Sequence, residues 1–174
     1  MKFTTLLTSI LAFATCACAT GPSTINQPAA WTAIEPGAVF NFSYSAIGDY
    51  CQSSYGYAVY LVTEPAVSMA PSQEFMCGYY FGRYDTPNYP AVPYPTNPAP
   101  PNFTMPNFAD SQGGFGTGKS ASNATFYLTV MEEWDDCGGA LGRKIAVVNT
   151  PIVYNATQSY QAEMNAEAIA RRSA

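Results

Sequence analysis

From Val39 to Ser45 the chain alternates strictly: Phe40, Phe42 and Tyr44 fall on one side, Asn41, Ser43 and Ser45 on the other. A period of two is the signature of a strand that buries one face. Ala124 to Met131 repeats it with Phe126, Leu128 and Val130. Tyr57 to Thr63 is apolar on both faces, and Glu74 to Tyr84 sets Phe75, Cys77, Tyr79 and Phe81 on one side. Lys144 to Val148 and Pro151 to Asn155 are shorter β runs. Turn signals separate these segments, at Pro36-Gly37, Pro65 and Pro71. Three stretches read as loops: Gly48 to Gly56, Ala109 to Ser122, and the acidic, Gly-rich Glu132 to Arg143. Thr86 to Pro106 carries eight prolines, which no regular helix or central strand tolerates. Its end, Asn102 to Met105, suits a short edge strand. The expected fold is all-β, an immunoglobulin-like antiparallel β-sandwich of about seven strands over residues 20–158. Residues 159–174 follow as a C-terminal helix or a flexible tail, since Tyr160, Met164 and Ala168 recur at i, i+4 and i+8.

The first nineteen residues set the compartment. Lys2 is a positive n-region, Leu6 to Ala14 a short apolar core, and Ala17-Cys18-Ala19 a small-residue cleavage site. The stretch is too short and too hydroxyl-rich for a membrane-spanning helix, which needs roughly 20 apolar residues. The expectation is a cleaved leader at 1–19 and a secreted, extracellular monomer with no membrane anchor. Four N-glycosylation sequons agree with it, at Asn41, Asn102, Asn123 and Asn155. Cys16 and Cys18 leave with the leader, so Cys51, Cys77 and Cys137 remain. Counting strand directions puts Cys51 and Cys137 at the same end, which predicts a disulfide between them. Cys77, in mid-strand beside aromatics, is then a buried thiol.

Composition removes several classes of function. Seven Lys and Arg against twelve Asp and Glu, with no basic cluster, cannot neutralise a phosphate backbone, so no nucleic acid is expected. Histidine is absent, which removes Ser-His-Asp and Cys-His catalysis and the commonest metal ligand. Gly113 to Ser120 matches the phosphate-cradling G-x-x-x-x-G-K-[ST] motif. It lacks the preceding buried strand and the following helix, so no nucleotide and no other cofactor is expected.

Two groups of residues invite a binding role. Glu132, Glu133, Asp135 and Asp136 surround Trp134. Paired carboxylates can divide acid and base work in glycoside hydrolysis, but sequence neighbours on a strand point to opposite faces. The spacing is not that of an EF-hand, so no metal site is assigned. Trp134, Asp135 and Asp136 stand as candidate contact residues, Trp being enriched at binding hot spots. Tyr79, Tyr80, Tyr84, Tyr89 and Tyr94 could form a sugar-stacking surface or could pack internally.

Several short segments resemble a family of small secreted fungal proteins, the necrosis-inducing secreted effector (Nis-like) group. They are Ile34-Glu-Pro-Gly37 with Val39-Phe40, Tyr57-Ala-Val-Tyr60, Pro101-Asn-Phe-Thr-Met-Pro106, and Cys137-Gly-Gly-Ala-Leu-Gly142 leading to Val147-Val-Asn149. The resemblance implies a non-enzymatic β-sandwich that engages plant receptor-like kinases and blunts immune signalling. The long Pro-rich stretch and the cysteines depart from that pattern, and no site residue is transferred. The function expected is that of a secreted, glycosylated, non-enzymatic interaction protein, effector-like, whose partner is an extracellular protein. The alternative is a cell-wall glycan-binding module or carbohydrate-active enzyme using Tyr and acidic loop residues.

Overall fold

The computed structural model of the chain describes residues 23–49, 52–65, 78–87, 94–110, 121–136 and 143–172. The leader, Cys51, Cys77, Tyr89, Cys137 and the Gly113 to Ser120 motif lie outside the described residues. The described residues hold ten strands and one helix: β1 (Thr24–Gln27), β2 (Thr32–Ile34), β3 (Val39–Asn41), β4 (Ser43–Ser45), β5 (Gly48–Asp49), β6 (Gln52–Val62), β7 (Gly78–Asp85), β8 (Asn102–Thr104), β9 (Ala124–Asp136), β10 (Lys144–Tyr154) and α1 (Gln158–Arg172).

The protein is mostly β. A six-stranded sheet runs β2-β10-β9-β6, with β5 and β7 sharing the far edge of β6. Two ribbons, β1–β4 and β3–β8, complete the β structure described. Alternation explains how they meet. Val59, Leu61, Leu128, Val130 and Ile152 project from one face of the large sheet, and Phe40, Phe42 and Phe103 from the ribbons, into one buried cluster. Phe103 sits among Phe81 at 4.7 Å, Phe42 at 4.8 Å, Tyr84 at 5.8 Å and Phe40 at 6.1 Å between ring centroids. The end of the Pro-rich stretch therefore supplies a side chain to the middle of the core, worth about 1.5–3 kcal/mol by burial alone.

The Pro-rich stretch is also fastened along β7. One carboxylate oxygen of Asp85 accepts from the amides of Thr96 and Asn97, both at 3.0 Å, and from the Thr96 hydroxyl at 3.2 Å. These donors, Asn97 first and then Thr96, hold the Asp85 carboxyl below the usual carboxylate range.

Several sequence expectations are revised, and β1, β2 and β5 lie where no strand was expected. Val39 to Ser45 is two strands, because β3 pairs with β8 and β4 with β1, with Phe42 between them donating its amide to Pro101 O at 2.9 Å. Glu132 to Asp136 is not a loop: β9 stays in register with β6 and β10 through this stretch. Likewise β6 begins at Gln52, inside the expected loop, with a bulge between Ser54 and Gly56. The sheet is mixed, since β2 joins β10 in parallel.

The two short runs after Lys144 form one strand through Pro151. In a strand, N–H and C=O of one residue point to the same side. Pro151 O accepts from Trp31 N at 2.7 Å, on the side away from β9. The missing proline N–H lies on that side too, so the β9–β10 ladder loses nothing.

Candidate functional site

The acidic end of β9 carries the densest chemistry, and the pleat divides it. Glu132 is fully buried between the layers. Its Oε2 accepts from the Tyr44 hydroxyl and its Oε1 from the Ile47 amide, each at 2.8 Å. Tyr57, whose ring centroid is 4.7 Å from that of Tyr44, packs beside them. Glu133 faces the other side. It bonds Arg83 Nη1 at 2.6 Å and Arg143 Nη1 at 2.7 Å, which hold its carboxyl down to about 2, Arg83 being the larger cause. The two carboxylates diverge across the sheet and share no substrate position.

Trp134 returns to the Glu132 side. Lys144 Nζ lies 4.7 Å from its ring centroid, as expected for cross-strand partners. Its Nε1 is buried and meets no acceptor among the described residues. Asp135 is half-buried, and Asp136 closes the ladder opposite Gln52. Trp134, Asp135 and Asp136 are thus strand residues, Trp134 half-buried rather than displayed on a loop.

The tyrosines scatter. Tyr84 is buried and Tyr79 packs against the core. Tyr80 stands on the opposite face, 53% exposed and 5.1 Å from the Tyr60 ring. Tyr94 is exposed in the Pro-rich stretch. They do not make one stacking surface. Instead, Tyr80 shares the outer face of the large sheet with Arg83, Glu133 and the exposed Ile145, which is the ladder partner of Glu133. Arg143 reaches in from the strand end and lies 4.4 Å over the Tyr55 ring. Sequence reading missed Arg83, Arg143, Tyr55 and Ile145. The signal available was scarcity: with seven cations in the chain, two converging on one carboxylate mark a place.

The sequons fall into two spatial pairs. Asn41 and Asn102 are exposed and directly opposite in the β3–β8 ladder. Asn123 and Asn155 adjoin at the end of β9 and β10, both left-handed at φ 53° and 51°. A third feature is a groove of about 230 Å³ between Trp31 and α1, lined by Tyr160, Met164, Glu167 and Arg171. Among the described residues no cluster of three or more His, Cys, Asp or Glu could hold a metal ion, and no helix is long and apolar enough to cross a membrane.

Burial makes the Glu132 cluster alkali-sensitive. Burial foremost, with Glu132's charge adding and Ser23's hydroxyl opposing, raises the Tyr44 hydroxyl. Burial, then Tyr84 and Glu132, pushes Tyr57 up to about 12, and burial raises Tyr84. The folded state thus holds protons that the unfolded state releases. Their contribution is complete below the ordinary tyrosine range near 10 and is lost as pH rises through 10 to 12 and beyond. Alkaline titration should show these tyrosines ionising late and together with loss of near-ultraviolet dichroism. Complete tyrosinate formation near pH 10 with the fold intact would refute the assignment.

Comparisons with protein-family models, with curated proteins and with solved structures give no match for this chain.

Proposed function

We propose that this is a secreted, glycosylated interaction protein without catalytic activity, effector-like in the manner of the resembling fungal family, acting on an extracellular protein. In this reading the fold is an immunoglobulin-like sandwich, with more strands than the seven expected. The observation that carries the reading is the outer face of the large sheet. There Tyr80, Tyr55, Arg83, Arg143 and Ile145 gather around Glu133, the aromatic and arginine composition of protein contact surfaces. Divergence of Glu132 and Glu133 argues against two-carboxylate hydrolysis at this place.

The test is capture of extracellular proteins by the mature glycoprotein, repeated with Tyr80→Ala and Arg83→Glu. Tyr80 is exposed and its loss should change stability little, while Arg83→Glu sets a second carboxylate beside Glu133, so its melting temperature is measured alongside binding. A specific partner should be retained by the native chain and lose at least roughly tenfold in affinity with either variant. Retention on insoluble wall polysaccharide, lost on Tyr80→Ala with no protein partner captured, would support the glycan-binding alternative instead.

A further inference from the structure

Asn41 and Asn102 occupy matched motifs, Asn-Phe-Ser and Asn-Phe-Thr, on opposed strands. Alternation sends Phe42 and Phe103 into the core, where their rings pack at 4.8 Å, and leaves both asparagines outside. Directly opposed residues of an antiparallel pair lie about 4.5–5.5 Å apart at Cα. The two acceptor amides, distant in sequence, therefore share one patch of surface.

The other pair is built differently. Asn155 Nδ2 donates to Ala121 O at 3.0 Å and to Ser122 Oγ at 2.8 Å, which uses both of its hydrogens. Asn155 N donates to Ile34 O at 3.0 Å, and Asn155 O accepts from Asn123 N at 3.1 Å. Asn123 Oδ1 accepts from Thr157 N at 2.8 Å and Thr157 Oγ1 at 3.2 Å, at the start of α1. Each asparagine is left-handed, a conformation that Asn tolerates better than most residues. The sequon hydroxyl of Thr157 is thus a member of this clasp.

N-glycosylation joins Asn Nδ2 to C1 of a lipid-pyrophosphate-linked oligosaccharide. The N–C1 bond forms, one N–H proton is lost, the C1–O bond breaks and the lipid pyrophosphate leaves. At Asn155 this removes a hydrogen that the clasp uses and places a sugar against Ala121 and Ser122. At Asn41 or Asn102 it disturbs no side-chain hydrogen bond among the described residues. We propose that Asn41 and Asn102 form a single glycan station on the β3–β8 ribbon, and that Asn155 is a structural clasp with Asn123, unglycosylated in the folded protein. The inference rests on the secretory reading above. It also narrows that reading, because a glycan on the ribbon screens that layer and leaves the exposed Tyr80, Arg83 and Ile145 on the other face of the large sheet to a partner.

The test expresses the full chain in a glycosylating secretory host, once with its own leader and once behind a leader known to be secreted there. Secreted protein is deglycosylated in heavy-oxygen water and mapped for tagged sites. A tag at Asn41, Asn102 or both, with Asn155 untagged, supports the proposal. A tagged Asn155, or no tag at either ribbon site, overturns it. Retention of the own-leader chain while the second chain is secreted and tagged at the ribbon refutes the secretory reading alone. Thermal melts of deglycosylated variants test the clasp separately. N155Q should lower Tm by roughly 4–8 °C, with N41Q and N102Q unchanged. N155G, which keeps the left-handed backbone but not the amide, should fall between. An unchanged Tm in both Asn155 variants defeats the clasp.

Discussion

Glu132→Ala should destabilise the protein by about 2–5 kcal/mol, a fall of roughly 5–15 °C in Tm. The side chain itself buries little apolar surface. The loss comes from its donors: the Ile47 amide would lose its acceptor, and the Tyr44 hydroxyl would keep only the Ser23 hydroxyl beside it. Glu132→Gln should cost less, about 1 kcal/mol. Its carbonyl can still accept from Ile47 N, and the tyrosine hydroxyl can turn to accept from the new amide. The control is the next residue. Glu133→Ala removes two ion pairs from the partly exposed face and should cost under about 1 kcal/mol. Melting curves of the three variants decide the matter. Equal losses at 132 and 133, or a Gln variant as damaged as the Ala variant, would mean that the buried carboxylate does not hold the β4 end against the sheet.

Cys51→Ser and Cys137→Ser should have an effect of similar or larger size. Both cysteines lie outside the described residues, but their chain neighbours Gln52 and Asp136 are direct partners in the β6–β9 ladder. The expected bond, Cys51–Cys137, closes a loop of roughly 86 residues and is worth about 4–5 kcal/mol by loss of chain entropy in the unfolded state. Either single variant and the double variant should lose the same amount, because one bond is removed in each case. Cys77→Ala should lose less. Non-reducing peptide mapping gives the direct answer, and a linked Cys51–Cys77 or Cys77–Cys137 peptide would refute the pairing.

The sequence by itself determined most of the longer strands and the buried side of those that alternate, while β1, β2 and β5 went unread. Phe40 and Phe42, Leu128 and Val130 face inward because a pleated chain has only two sides, and a period of two names them. The same geometry keeps Glu132 and Glu133 apart once they lie on a strand, which the structure supplied. Strand ends were another matter. Glutamate and aspartate are poor strand formers, so Glu132 to Asp136 reads as loop until β6 and β10 are present on either side to complete its ladder. The lone proline at 151 reads as a break until Trp31 shows which way its missing N–H points.

Only the tertiary structure decided which segments became neighbours. Asn41 meets Asn102, Arg83 and Arg143 meet on Glu133, and Glu132 reaches Tyr44, each across tens of residues. Local alternation tells a residue its side but not its partner, because register depends on the summed fit of whole strands. Four equivalent sequons in the sequence therefore became two unlike pairs in space. An acidic run became one buried anchor and one surface ion-pair centre, since a single pleat step separates an environment without water from one exposed to it.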